Sequence, residues 1–104
     1  MNSTEFKQLA DKTLQDLSDA IEDADKDYKL DVDLIDGILN IEMPDGGQYV
    51  INRHDASMQI WLSSPISGAG HFSHKDGLWI SSDGRNFIDE IKSEIAKTAG
   101  ISVN

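Results

Sequence analysis

Cysteine is absent from this chain of 104 residues. That removes disulfides, thiolate-held zinc or iron–sulfur sites, and a thiol nucleophile. Basic residues are scarce: nine Lys and Arg stand against nineteen Asp and Glu, for a net charge of -10. Such a surface repels a phosphate backbone and an anionic lipid face, so neither nucleic acid nor membrane is expected as a partner. No apolar run approaches the roughly 20 residues that span a bilayer. The opening segment, Met1 through Lys7, lacks both the apolar stretch of a signal peptide and the Arg-rich character of a transit peptide. A soluble cytoplasmic protein is the resulting expectation. What is present suffices for a fold: hydrophobic residues make up 38%, with two Trp, two Tyr and three Phe. The length suits one domain with one core over 1–104, domains usually running to about 100–150 residues.

Phe6, Leu9, Ala10, Leu14, Leu17, Ile21 and Ala24 recur at steps of three and four. This spacing predicts a helix over about 3–24 with one buried stripe, capped at its start by Asn2 with Glu5 three residues on. From Leu30 the period becomes two: Leu30, Val32 and Leu34, then Leu39, Ile41 and Met43, alternate with polar residues. Turn signals follow at short intervals, among them Asp36-Gly37, Asp45-Gly46-Gly47, Asp55-Ala56, Asp76-Gly77 and Asp83-Gly84. That spacing leaves no room for crossover helices, so the strands form an antiparallel meander. Phe87, Ile88, Ile91, Ile95 and Ala99 return to helical spacing before Gly100, a C-terminal capping glycine. The expected architecture is α+β: a two-layer sandwich with the N- and C-terminal helices on one face of a five- to six-stranded antiparallel sheet.

At about 100° per residue, Asp16, Asp19 and Asp23 fall on a helix stripe turned away from the apolar one, with Glu22 and Asp11 on the opposite flank. The run continues through Asp25, Asp27, Asp31 and Asp33, with only Lys26 and Lys29 in compensation. A solvated helix face is the ordinary explanation of a charge run. Exposed helices, however, usually mix signs, because like charges at that spacing cost a few tenths of a kcal/mol each. A surface that tolerates repulsion suits a cation or a basic protein patch. The Asp23-x-Asp25-x-Asp27 opening imitates a calcium loop, but Tyr28 stands where that loop needs Gly and Leu34 where it needs a bidentate Glu. What remains is a set of hard oxygen donors without a cage, suited to weak, multi-site binding of divalent or trivalent cations, iron included.

In the segment 58–63 alternation assigns Met58, Ile60 and Leu62 to the core and sets Trp61 on the other face with Gln59 and Ser63. A Trp on the polar face of a strand is either a partner contact or covered by a neighbouring side chain. His71 and His74, three apart on a strand, point to opposite faces and do not form a metal pair. Gly68-Ala69-Gly70 lacks the third glycine and following helix of a dinucleotide site. Ser, His and Asp occur without a nucleophile elbow, and no motif points to catalysis.

The acidic helix end, Asn52-Arg53-His54, the block from Gln59 through Gly68 around Trp61, Gly77-Leu78-Trp79-Ile80 and the closing helix together resemble the frataxin family in its bacterial form. The resemblance spans nearly the whole chain. His54 stands where the family usually has Gln, and Ala56 where many members have Pro. The resemblance implies an α-β-α sandwich, weak iron binding on an acidic ridge, and contact with the cysteine desulfurase and scaffold protein of iron–sulfur cluster assembly. Carried onto this chain, the implied iron-binding residues are Asp19, Glu22, Asp23, Asp25, Asp27 and Asp31. Ser18 and Lys29 occupy places often acidic in relatives, which dilutes the ridge. The implied partner contacts are Asn52, Gln59 and Trp61. Two functions remain open: a non-catalytic adaptor or regulator of cluster assembly, monomeric without iron, and an iron-storage or ferroxidase-like protein that oligomerises with iron. The first is favoured, because the buried Glu and Glu-x-x-His set of a di-iron bundle is missing.

Overall fold

Helix α1 (Ser3–Ala24) begins at Asn2, whose side-chain oxygen accepts the Glu5 amide at 2.8 Å. The computed structural model describes residues 1–104. Along α1 the buried stripe is Phe6, Ala10, Leu14, Leu17 and Ile21, joined by Ser18. Six strands follow: β1 (Asp31–Ile35), β2 (Ile38–Glu42), β3 (Gln48–His54), β4 (Gln59–Ser64), β5 (Gly68–Lys75) and β6 (Leu78–Ile80). Each pairs antiparallel with the next, giving the order β1-β2-β3-β4-β5-β6. Helix α2 (Phe87–Ala99) is capped by the Asn86 side chain at its start and ends at Gly100, left-handed at φ 68.

The sheet is a meander because its hairpins close tightly. Asp36-Gly37 and Asp76-Gly77 join strands through two residues, with φ of 50 and 76 in the first and 52 and 81 in the second. Positive φ at both central residues matches the right-handed twist of the flanking strands, and Asp-Gly tolerates it best. Strand alternation then places Leu39, Ile41, Tyr49, Ile51, Ile60, Leu62, Phe72 and Trp79 on one face, in a single core with the buried stripes of both helices. The opposite face carries no helix and is open.

One expectation fails within the β3–β4 hairpin. Met58 is not a core residue: it is the last residue of the turn over 55–58, adopts φ 53 and is exposed. Its amide closes the turn on the Asp55 carbonyl at 3.2 Å, so the period-two pattern starts only at Gln59.

Polar ties fix the helices on the sheet. Tyr49 and Ser64 hydroxyls both donate to Glu94 Oε1 of α2, at 2.8 and 2.5 Å. Burial, then the bond to Glu94 and its charge, push the Tyr49 phenol up. Trp79 Nε1 donates to Thr13 of α1 at 3.0 Å. Arg53, at the end of β3, clamps α1 through Asp11 and holds Asp55 at 2.8 Å. Burial works against the Asp11 charge, but hydrogen bonds from Lys7 and Arg53 outweigh it and hold that carboxyl below its usual range.

Past the end of α1 the chain must turn back to the edge of the sheet, and Asp25 makes the turn. Its carboxylate is buried and accepts the amides of Lys29 at 2.8 Å and Leu30 at 2.9 Å. Those bonds draw the 25–30 loop tight, with Tyr28 at φ 53 and its ring in solvent. Removing the carboxylate leaves two loop amides without their partner. Asp25→Ala is expected to cost about 1–2 kcal/mol and to lower the melting midpoint by roughly 5–10 °C. Asp27→Ala, two residues on and exposed, is expected to stay within about 0.5 kcal/mol. Thermal melts of the two variants side by side check this.

Candidate functional site

The helical period of α1 fixes where its acids go. Asp19, Glu22 and Asp23 lie exposed away from the core stripe, and Asp27 is exposed in the loop that follows. On β1, alternation turns Val32 and Leu34 toward the helices and leaves Asp31 and Asp33 on the open face. The acids therefore run from the helix around the edge strand onto the sheet. None of these six carboxylates has a cationic partner: the ion pairs engage Asp11, Asp16, Asp55 and Glu90 instead. Lys26 and Lys29, the nearest cations in sequence, pair with none of them. Asp19 accepts from Gln15 at 2.9 Å and Glu22 from Ser18 at 3.3 Å, both neutral donors.

Asp25 does not belong to this surface. The expectation of an exposed oxygen donor fails there because the Asp25 side chain is buried and both its carboxylate oxygens accept backbone amides of the turn. The remaining acids stay apart: no three His, Asp or Glu side chains gather closely enough to hold one ion. Their chemistry is that of a field of hard oxygens, each able to offer one or two donors to a largely hydrated cation.

On the open face Asn52 of β3, Trp61 of β4 and His71 of β5 stand side by side in register. Trp61 is half-buried, because imidazoles cover both sides of its ring. His54 stacks at 3.6 Å with an interplanar angle of 5°, and His71 at 4.2 Å and 13°. Its indole N–H donates to Gln59 at 3.0 Å, and Gln59 in turn donates to Ser73 at 3.1 Å. Asn52, Gln59 and Trp61 thus do share one surface, with Trp61 both exposed in part and covered in part. Sequence reasoning missed the two stacking histidines. The signal lay in the register: with the turn over 55–58, His54 faces Gln59 and so lies diagonal to Trp61. His74, as expected, lies on the other face, edge-on to Trp79 at 5.1 Å.

A shallow cleft of about 320 Å³ lies between α1, α2 and β6, floored by Leu17, Trp79 and Ile88. Its one hydroxyl, Thr13, accepts from Trp79 and donates to the Leu9 carbonyl, which leaves it no base to activate it.

Comparison with known proteins bears directly on these two surfaces. The family model described as "Frataxin-like domain" matches residues 1–101. The iron-sulfur cluster assembly protein CyaY of Vibrio vulnificus (strain YJ016) is 39% identical over 105 residues, covering 100% of this chain and 98% of the relative. CyaY of Shewanella sp. (strain ANA-3) is 37% identical over 109 residues, covering 100% and 97%. Among solved structures, frataxin from Psychromonas ingrahamii superposes with a TM-score of 0.89 at 28% identity, covering 100% of this chain and 97% of the other. Trimeric yeast frataxin from Saccharomyces cerevisiae, complexed with ferrous, gives 0.79 at 36% identity over 88% of this chain and 85% of the other. The two-helix, six-stranded architecture, the matched family model and relatives aligned over nearly their whole length together establish that this chain belongs to the frataxin family, among its bacterial CyaY members.

Proposed function

We propose that this protein is a non-catalytic adaptor or regulator of iron–sulfur cluster assembly in the cytoplasm. It engages cysteine desulfurase through the acidic ridge and the scaffold protein through the Trp61 face, and binds iron weakly on the ridge. The observation that carries the reading is the run of six unpaired carboxylates, Asp19 to Asp33, continuous with an open sheet face that holds a half-buried Trp. The names of the CyaY relatives support the pathway, and ferrous in the yeast neighbour supports the metal. Asp19, Glu22, Asp23, Asp27 and Asp31 are the iron-contacting residues of this reading, and Asn52, Gln59 and Trp61 the partner contacts. A desulfurase turnover assay with and without the protein, combined with gel filtration under aerobic Fe(II), tests it. A change in turnover that fades steeply with salt, from a protein that stays monomeric, is the expected result. The yeast neighbour is trimeric. Iron-driven assembly of this chain without any effect on turnover would favour iron storage instead.

Uncaged carboxylates discriminate poorly among cations. Fe(II), Mn(II) and Co(II) are all expected to perturb backbone resonances between Asp19 and Asp33, with loose affinity and with the sheet face around Trp61 unchanged. NMR titration checks this, and sub-micromolar capture of one metal by His71 or His74 would contradict it.

The ridge also has an energetic cost, which a binding surface justifies and an idle one does not. Crowded like charges repel more in the native state than in the expanded chain. Asp23→Asn and Asp19→Asn are each expected to raise stability by about 0.2–0.5 kcal/mol at low salt and by less at high salt. Melts at two ionic strengths measure the gain. Destabilisation indifferent to salt would make the ridge structural.

A further inference from the structure

Trp61 by itself offers a partner little apolar area. His54 and His71 occupy both sides of its ring and Gln59 holds its N–H, so an edge is what remains. The register shows where more area lies. From Trp61 the cross-strand partners run Asn52 on β3, Ile38 on β2 and Ile35 on β1, one line across four strands. Ile35 is 60% exposed and Ile38 42%, on a face that no helix covers. Exposed β-branched residues paired directly across strands, with only Asn52 between them and Trp61, give an apolar patch of the kind that marks a contact surface.

Charge gives that line a direction. Beside it on the same face lie Asp33, then Asp31 directly opposite Glu42, none with a cationic partner. Like charges set opposite each other across a ladder are destabilising. These acids line a shallow depression of about 360 Å³ with Asn40 and Gln48 and no apolar residue. At the other end of the sheet, exposed Leu78 stands opposite Lys75, which is in no ion pair. The face thus carries an apolar line from Trp61 to the β1 edge and is anionic beside it.

We propose that the contact surface of Trp61 extends along Asn52, Ile38 and Ile35 to the β1 edge. It takes an amphipathic segment of a partner protein, apolar along its centre and bearing Lys or Arg on the side that meets Asp31, Asp33 and Glu42. The inference rests on the partner-binding reading above and adds to it the extent of the surface and the chemistry of the segment that covers it. The depression admits a long cationic side chain, and the apolar line receives the residues beside it.

The test uses the full chain against immobilised cysteine desulfurase and, separately, immobilised scaffold protein at low salt. Ile35→Ser/Ile38→Ser is expected to weaken binding to the scaffold protein about tenfold with an unchanged melting midpoint. Glu42→Lys is expected to weaken it and to flatten its salt dependence, and Leu78→Ser to leave it as it was. Should the Ser pair melt early, Ile35→Thr/Ile38→Thr, which keeps the β-branch, takes its place. Full binding by the Ile variants while Trp61→Ala weakens it would overturn the extension toward β1 and leave the assembly reading standing. No binding of the unaltered protein to either target would overturn both.

Discussion

Everything in this molecule depends on a sheet with two faces and helices enough for one. The meander turns at every hairpin without a crossover, so α1 and α2 are the only elements that can cover it, and both share one core with the same set of strand residues. The other face must live in water. There an antiparallel ladder keeps its backbone satisfied while its side chains remain free to serve something other than folding. Trp61 and the Ile35–Ile38 pair are tolerated because the opposite face, with Tyr49, Phe72, Phe6 and Phe87 fully buried, carries the stability.

Two carboxylates two residues apart show how location decides the role of one chemistry. Asp23, on the exposed side of α1, has no cation and repels its neighbours. Asp25, a step past the helix, faces inward and serves two amides that would otherwise lack partners. A buried acid of this sort is stabilised by its donors and is not an exposed ligand for a hydrated cation. The loop it organises also carries Lys26 and Lys29, both exposed and unpaired, so no ridge carboxylate is tied up in an ion pair.

What was legible from sequence was what local chemistry decides. The bounds of α1, its Asn2 cap, the Gly100 terminus and the Asp-Gly hairpins follow from spacing and from residues that tolerate positive φ, and each stands where the spacing put it. The ambiguity between five and six strands resolved to six because Leu78–Ile80 needs only three residues to pair with β5. What was not legible depended on paths through space. Met58 fits the alternation, yet its place in the turn removes it from the strand. Asp25 matches its acidic neighbours in type but not in environment. The imidazoles around Trp61 become neighbours only once the turn length sets the register, a one-residue matter that composition cannot reveal.

The position of the acids on β1 also governs how copies of the chain treat one another. As the outer strand of an open sheet, β1 presents a row of backbone groups with no partner of their own. Such an edge is a template that another strand can extend, and charge along it is a common deterrent. Asp31 and Asp33 stand there beside exposed Ile35, within an apolar line that would otherwise invite a second sheet. The charges that make this edge costly within one molecule therefore also deter a second copy from pairing with it.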